Sequence, residues 1–235
     1  LVSITEKLFR PLLDQPARPL ITYYDDTAGT RVELSRVTVA NWAAKTANWL
    51  RDEWDVETGT DVAVVLPAHW QTVGVLLGAW WCGARVTDEV KGAQVAFVPQ
   101  GVTATGADTV AVVALDPMGR GLAEPPTDGT LDYLNESRVF GDTFDAWQQV
   151  PGNAKALCES TVDDLVAAAK DRATTLSIDS GSRVLSTLDW TFPDGLLSGL
   201  LAVLAADASL VQCANVDPAK LEERRAAERT TVDLG

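Results

Sequence analysis

The chain is predicted to be an α/β protein with largely parallel sheets flanked by helices. Strand-like and helix-like segments alternate from end to end, and in the last third they run strand, helix, strand, helix, the pattern of parallel strands joined by right-handed crossovers. Several strand candidates, DVAVVL at 61–66, QVAFV at 94–98 and TVAVVAL at 109–115, are continuous apolar runs, the composition of strands buried on both faces. With 235 residues, 46% of them hydrophobic, the chain can bury a substantial core without a disulfide staple, as one long domain or two small lobes.

Taken in order, Ser3 to Leu13 reads as a short amphipathic helix stopped before Pro19, and LITYYD, the turn-prone DDTAGT and RVEL read as a hairpin. Thr38 is placed to cap a helix through Trp54, with Val39, Ala43, Ala47, Leu50 and Trp54 on one face. The strand at 61–66 ends at Pro67. A helix from about Ala68 to Cys82 follows, nearly apolar all round, with Gly83 positioned to end it. The strands at 94–98 and 109–115 complete the first half. From 116 to 153, Pro117, Gly119, Gly121, Pro125, Pro126 and Gly129 make a loop-rich crossing with short helices expected near Leu131 to Val139 and Thr143 to Gln148. This crossing divides expected lobes at about 1–115 and 154–235 within a single domain spanning 1–235. Beyond it, Thr161 and Asp164 resemble a capping box for a helix to about Leu176. The strand RVLSTL, a helix over about Pro193 to Ala206, the strand SLVQC, a helix opened by Asp217 and Pro218, and a strand-like TTVDLG complete the chain.

Charge narrows the function classes. Nineteen basic against thirty-three acidic residues give a net charge of -14 spread along the chain, which repels a phosphate backbone and excludes nucleic acid as the expected partner. The longest apolar runs, Val73 to Ala84 and Leu196 to Ala206, are too short for a bilayer, so no membrane is expected. The opening LVSITEKLFRPLLD lacks the parts of a secretory signal, and the expected location is cytoplasmic. Cys82, Cys158 and Cys213, odd in number and widely spaced in apolar surroundings, suit reduced core thiols.

Few residues invite a chemical role. Asp189, Trp190, Thr191 and Asp194 lie between a strand and a glycine-containing helix, where ligands bind in open α/β sheets, and they are the candidate ligand-binding residues. The competing reading has Trp190 and Phe192 packing the lobes and Asp194 capping the helix after Pro193. His69 is the one histidine, and with no evident orienting carboxylate or nucleophile it reads as a surface or helix-start residue. No metal site is expected from one histidine and three scattered cysteines. Eight tryptophans exceed ordinary usage; the core accounts for most, while Trp42 and Trp49 lie off the apolar stripe of their helix and raise an oligomer interface or hydrophobic ligand pocket. GVTATGAD at 101–108 precedes a strand rather than a helix and reads as a turn. No GxGxxG, P-loop, GxSxG or HExxH motif occurs.

Two stretches carry a family likeness. TGTDVAVVLPAHWQTVGVLLGAWWCGARV, Thr58 to Val86, resembles the early core of the adenylate-forming superfamily of acyl-CoA synthetases, luciferases and peptide-synthetase adenylation domains. Thr161 to Thr231, which includes DSGSRVLSTLDWTFPDGLLSGLLAVLAADASLVQC at 179–213, resembles that superfamily's segment after the phosphate loop. The wording DWT, PDG and LL is similar to that of a short actinobacterial AMP-binding-like family of unassigned function. The resemblance implies the front part of the N-terminal domain of adenylate-forming enzymes. It also implies a loop rich in Ser, Thr and Gly followed by lysine, which grips the triphosphate. The corresponding PGNAKALCEST, 151–161, offers only Gly152 and Lys155, and the family's later adenine, magnesium and ribose motifs have no counterpart here. The expectation is a degenerate, truncated, non-adenylating pseudoenzyme of this superfamily without a cofactor, acting as a binding or interaction protein, with a protein partner or a second copy. The alternative is a small-molecule protein or enzyme that keeps an acyl, aromatic or nucleotide cleft beside Asp189 to Asp194.

Overall fold

The computed structural model describes residues 2–235 and contains two sheets built around one continuous core. The strands are β1 (Pro19–Asp25), β2 (Thr30–Ser35), β3 (Asp61–Val64), β4 (Arg85–Thr87), β5 (Val95–Pro99), β6 (Thr109–Val113), β7 (Leu131–Asp132), β8 (Lys155–Leu157), β9 (Ser160–Thr161), β10 (Arg183–Ser186), β11 (Ser209–Ala214) and β12 (Val232–Leu234). The helices are α1 (Arg36–Trp54), α2 (Trp70–Trp81), α3 (Tyr133–Ser137), α4 (Val162–Thr175), α5 (Asp194–Leu196), α6 (Ala202–Ala205) and α7 (Leu221–Glu228), with a π-helical turn, Leu197–Leu201, joining α5 to α6. The first sheet runs β12-β10-β11-β1-β2 and the second β7-β6-β5-β3-β4-β8-β9. Among the described residues, only the β1–β2 and β8–β9 pairings are antiparallel.

The sheets do not coincide with the lobes expected at 1–115 and 154–235. The hairpin β1–β2 leaves its sequence neighbours and pairs through β1 with β11, while β8 and β9 from beyond the crossing extend the sheet of β3 to β6. The two halves of the sequence are therefore interleaved. The physical reason is burial: β1 carries Leu20, Ile21 and Tyr23, all buried, and beside β11 its inner face joins the main core.

Helix α2 explains its own composition by position. It touches β1 of one sheet and β3 and β4 of the other, all twelve of its residues are buried, and an apolar surface all round is what a helix between two sheets requires. It packs against α1 so closely that a Cβ on Gly78 would sit 2.6 Å from the Thr46 Cβ, so glycine sets the helix spacing. Trp49 of α1 is fully buried against Phe97 and Tyr133, which assigns this off-stripe tryptophan to the core; Trp42 is half-buried beside Trp70.

Three local expectations need correction. The cap of α1 is Ser35, whose hydroxyl accepts the Thr38 N–H; Thr38 lies within the helix. Residues 143–148 form no helix: Asn48 of α1 donates to the carbonyls of Gly141 and Thr143, and Arg51 to that of Asp145, which holds this stretch out of a helix. Within the crossing, Leu131–Asp132 pairs as a strand before the short α3 begins. At α4 both hydrogen bonds of the Thr161–Asp164 capping box are present. Among the described residues no helix is long and apolar enough to cross a membrane, and no group of three His, Cys, Asp or Glu could hold a metal ion.

Candidate functional site

The carboxyl ends of parallel strands from both sheets face one another across a cleft of about 420 Å³. One wall is Val64 to Pro67 after β3, with Pro99 and Val102 after β5; the other is Asp189, Trp190, Thr191 and Phe192 after β10. Asp88, following β4, completes the rim. The apolar strands explain this convergence: each is buried along its length and the chain can leave the sheet only at its end, marked at 66–67 by Leu-Pro and at 98–99 by Val-Pro.

Asp189 joins the two walls. Its Oδ1 accepts the N–H of Ala68, 2.9 Å away in the loop after β3, and that of Trp190, also at 2.9 Å. Replacing Asp189 with alanine strands both donors and is expected to lower unfolding free energy by about 1–3 kcal/mol, measured by urea denaturation. Trp190 is buried, and its indole edge lies against Gly199 in the π-helical turn, where an added Cβ would come within 2.8 Å of Nε1. Thr191 is exposed, and its hydroxyl and the Asp189 carbonyl crowd Gly195, where a Cβ would sit 2.5 Å from that carbonyl oxygen.

Asp194 does not join the cleft or cap α5. Its side chain is 81% exposed and pairs with Arg172 of α4 at 3.1 Å, while the cap position is Pro193, which supplies no side-chain bond. The turn therefore brings Asp189, Trp190 and Thr191 together and sends Asp194 elsewhere. Val65, Val102 and Asp88 complete the lining without having been singled out in the sequence; their signal was the two strand-ending prolines on one sheet edge.

The stretch expected to correspond to a phosphate loop is a hairpin. Residues 155–161 form the β8–β9 hairpin, Lys155 pairs with Glu159, and Glu159 is also bound by Arg85 at 2.8 Å. The surface around Lys155 includes Thr60, Asp61 and Arg85, at the starts of β3 and β4, and Lys155 does not line the cleft. His69, read from sequence as a surface or helix-start residue, is at a helix start but buried. It caps α2, accepting the Gln71 N–H through Nδ1 at 3.0 Å, with its ring 4.4 Å from that of Tyr23. Burial pushes its pKa down to about 4, against opposing effects of the Leu115 backbone, Asp25 and Asp116, so the imidazole is neutral.

This arrangement has known counterparts. The fold is shared with an acyl-CoA synthetase from Brucella canis at a TM-score of 0.81 and 14% identity, over 99% of this chain and 47% of that one. It is shared with a benzoate CoA ligase from Burkholderia xenovorans LB400 at 0.78 and 18% identity, over 100% of this chain and 50% of that one. The anthranilate CoA ligase AuaEII, solved with anthranoyl-AMP, gives 0.72 and 16% over 96% of this chain and 47% of that one. The chain thus spans about half the length of these ligases. No family model matches it. It is 44% identical over 239 residues to the TIGR03089 family protein of Mycobacterium tuberculosis (strain ATCC 25618 / H37Rv), covering 97% of each chain. With that identity over nearly its whole length, the chain belongs to the TIGR03089 family, on a fold it shares with acyl-CoA and aryl-CoA ligases.

Proposed function

We propose that the chain is a non-adenylating relative of acyl-CoA synthetase-type enzymes, a cytoplasmic binding protein whose cleft takes an uncharged acyl or aromatic molecule. The observation that carries this reading is the charge of the cleft: its ionisable lining groups are Asp88 and Asp189, and among the described residues no lysine or arginine lines it. A triphosphate and an acid's carboxylate both need compensating cations or a cradle of N–H donors, and carboxylates on the rim repel them. The closed hairpin at 155–161 supports the same conclusion. Val65, Pro67, Val102 and Phe192 offer apolar contact for an acyl chain or ring. The three free thiols fit a reducing compartment.

Two measurements test this. Incubation with Mg-ATP and a panel of carboxylic acids is expected to give no pyrophosphate exchange; exchange above background would refute the proposal. A thermal-shift series is expected to show a raised midpoint with octanamide or benzamide and none with ATP, AMP or CoA, since a ligand at about a hundred times its Kd adds about 2.7 kcal/mol. Loss of that shift in Val65→Asp would locate binding in the cleft. A second reading, a protein partner on this face, is favoured by the exposure of Val65 and Val102, and absence of every shift would select it.

A further inference from the structure

A second concavity of about 220 Å³ lies at the other end of β3 from the cleft, where the carboxyl ends of α1 and α2 come together. Its walls are Trp81, the last residue of α2, with Phe144 and Trp147 from the crossing. The crossing is held there by one ridge of α1: Lys45 donates to the carbonyls of Arg138 and Phe140, Asn48 to those of Gly141 and Thr143, and Arg51 to that of Asp145. Residues three apart on a helix thereby fix the loop's backbone in sequence, and the two aromatic rings with it. Trp147 is 77% exposed yet not free, because the Arg51 guanidinium lies 4.1 Å from its ring centroid and 4.7 Å from that of Phe144.

The ionisable groups lining this pocket, Arg51, Asp55 and Glu57, sum to a net negative charge. The charge of Arg51 is paired with Asp52 at 2.7 Å, and each of its two terminal nitrogens donates one further bond, to Asn48 and to the Asp145 carbonyl. Asp55 and Glu57 also line the pocket, are exposed, and make no side-chain hydrogen bond or ion pair among the described residues. Two helices of 19 and 12 residues end on it, each contributing roughly half a negative charge from its terminal carbonyls. Aromatic faces add a further attraction for cations, already shown by Arg51.

We propose that this pocket is a second ligand site, independent of the cleft, for a small organic cation such as a quaternary ammonium or aryl-alkyl amine. The rings and helix ends recognise the charge, and the pocket volume limits the ligand to a compact group. The test follows the Trp147 indole N–H by 15N-edited NMR, with the resonance assigned through Trp147→Phe and benzyltrimethylammonium as the probe. A saturable shift of that resonance is expected, while benzoate and benzyl alcohol leave it in place. Calorimetry is expected to show affinity falling about fivefold in Trp147→Ala and about threefold in the Asp55→Asn/Glu57→Gln double variant, the scale of an exposed cation–π or surface charge contact. Trp147 is exposed, so its variants are expected to fold, and the seven other indole resonances verify that directly. No saturable shift, equal response to benzoate or benzyl alcohol, or unchanged affinity in Trp147→Ala would each overturn the proposal.

Discussion

Replacing Asp26 with alanine is expected to destabilise the protein by about 3–5 kcal/mol, seen as a large drop in the urea midpoint at nearly unchanged slope. Asp26 and Arg224 are both almost buried, at 6% and 7% side-chain exposure, and join at 2.7 Å, with the guanidinium also 4.0 Å from the centroid of the Tyr24 ring. The hydrogen bond from Arg224 holds the Asp26 carboxyl below the usual carboxylate range in spite of its burial, with the Asp217 N–H adding to it. Removing the carboxylate leaves an almost buried cation with no carboxylate to pair it, which costs more than the pair contributes. A double variant, Asp26→Leu with Arg224→Met, is expected to recover much of the loss, because it removes both charges and keeps volume. If the double variant is as unstable as the single one, stranded charge is not the cause.

Stability is also expected to fall by roughly 3 kcal/mol as pH drops from about 6.5 to about 4, owing to His69 alone. In the unfolded chain this imidazole takes up a proton near pH 6.5; in the folded protein burial holds its pKa down at about 4, so between those values the unfolded state binds more protons and stability declines with falling pH. Below about pH 4 the effect is complete. Asn at position 69 can still cap α2 and does not titrate, so His69→Asn is expected to be less stable at pH 7, having lost contact with Tyr23, yet to show a flatter profile from pH 6.5 to 4. Identical profiles for the two proteins would exclude His69 as the source. The fall below about pH 4.5 has a different origin in Glu228. Burial alone would raise its pKa, but hydrogen bonds from Arg31, Tyr24 and Arg183 hold it at about 2, so its stabilisation is lost on acidification toward that value.

The parts of the fold legible in the sequence were those whose cause is local. Thr161 and Asp164 announce the start of α4 because a capping box closes within four residues, and the apolar circumference of α2 announces burial on all sides. What escaped was decided by distant partners. Whether Asp194 caps its helix or reaches outward depends on Arg172, 22 positions earlier, and nothing near Asp194 records that. Residues 143–148 could have coiled into a helix had Asn48 and Arg51 not taken up their carbonyls from more than ninety positions away. The cleft was half visible: the turn after β10 stands out by composition, whereas Val65 and Val102 look like ordinary strand-end and loop residues until the sheets are assembled.

The interleaving of the two sheets sets the order in which the protein can be made. The parallel partner of strand β1 is β11, and Asp25 at the end of β1 meets Asn215 across 190 positions of sequence. Until β11 emerges, β1 has only β2 beside it, and a lone hairpin is marginal in water. Its other edge is open to unintended pairing until β11 docks on it. Pairings this distant in sequence must close a long loop before they contribute, which slows folding.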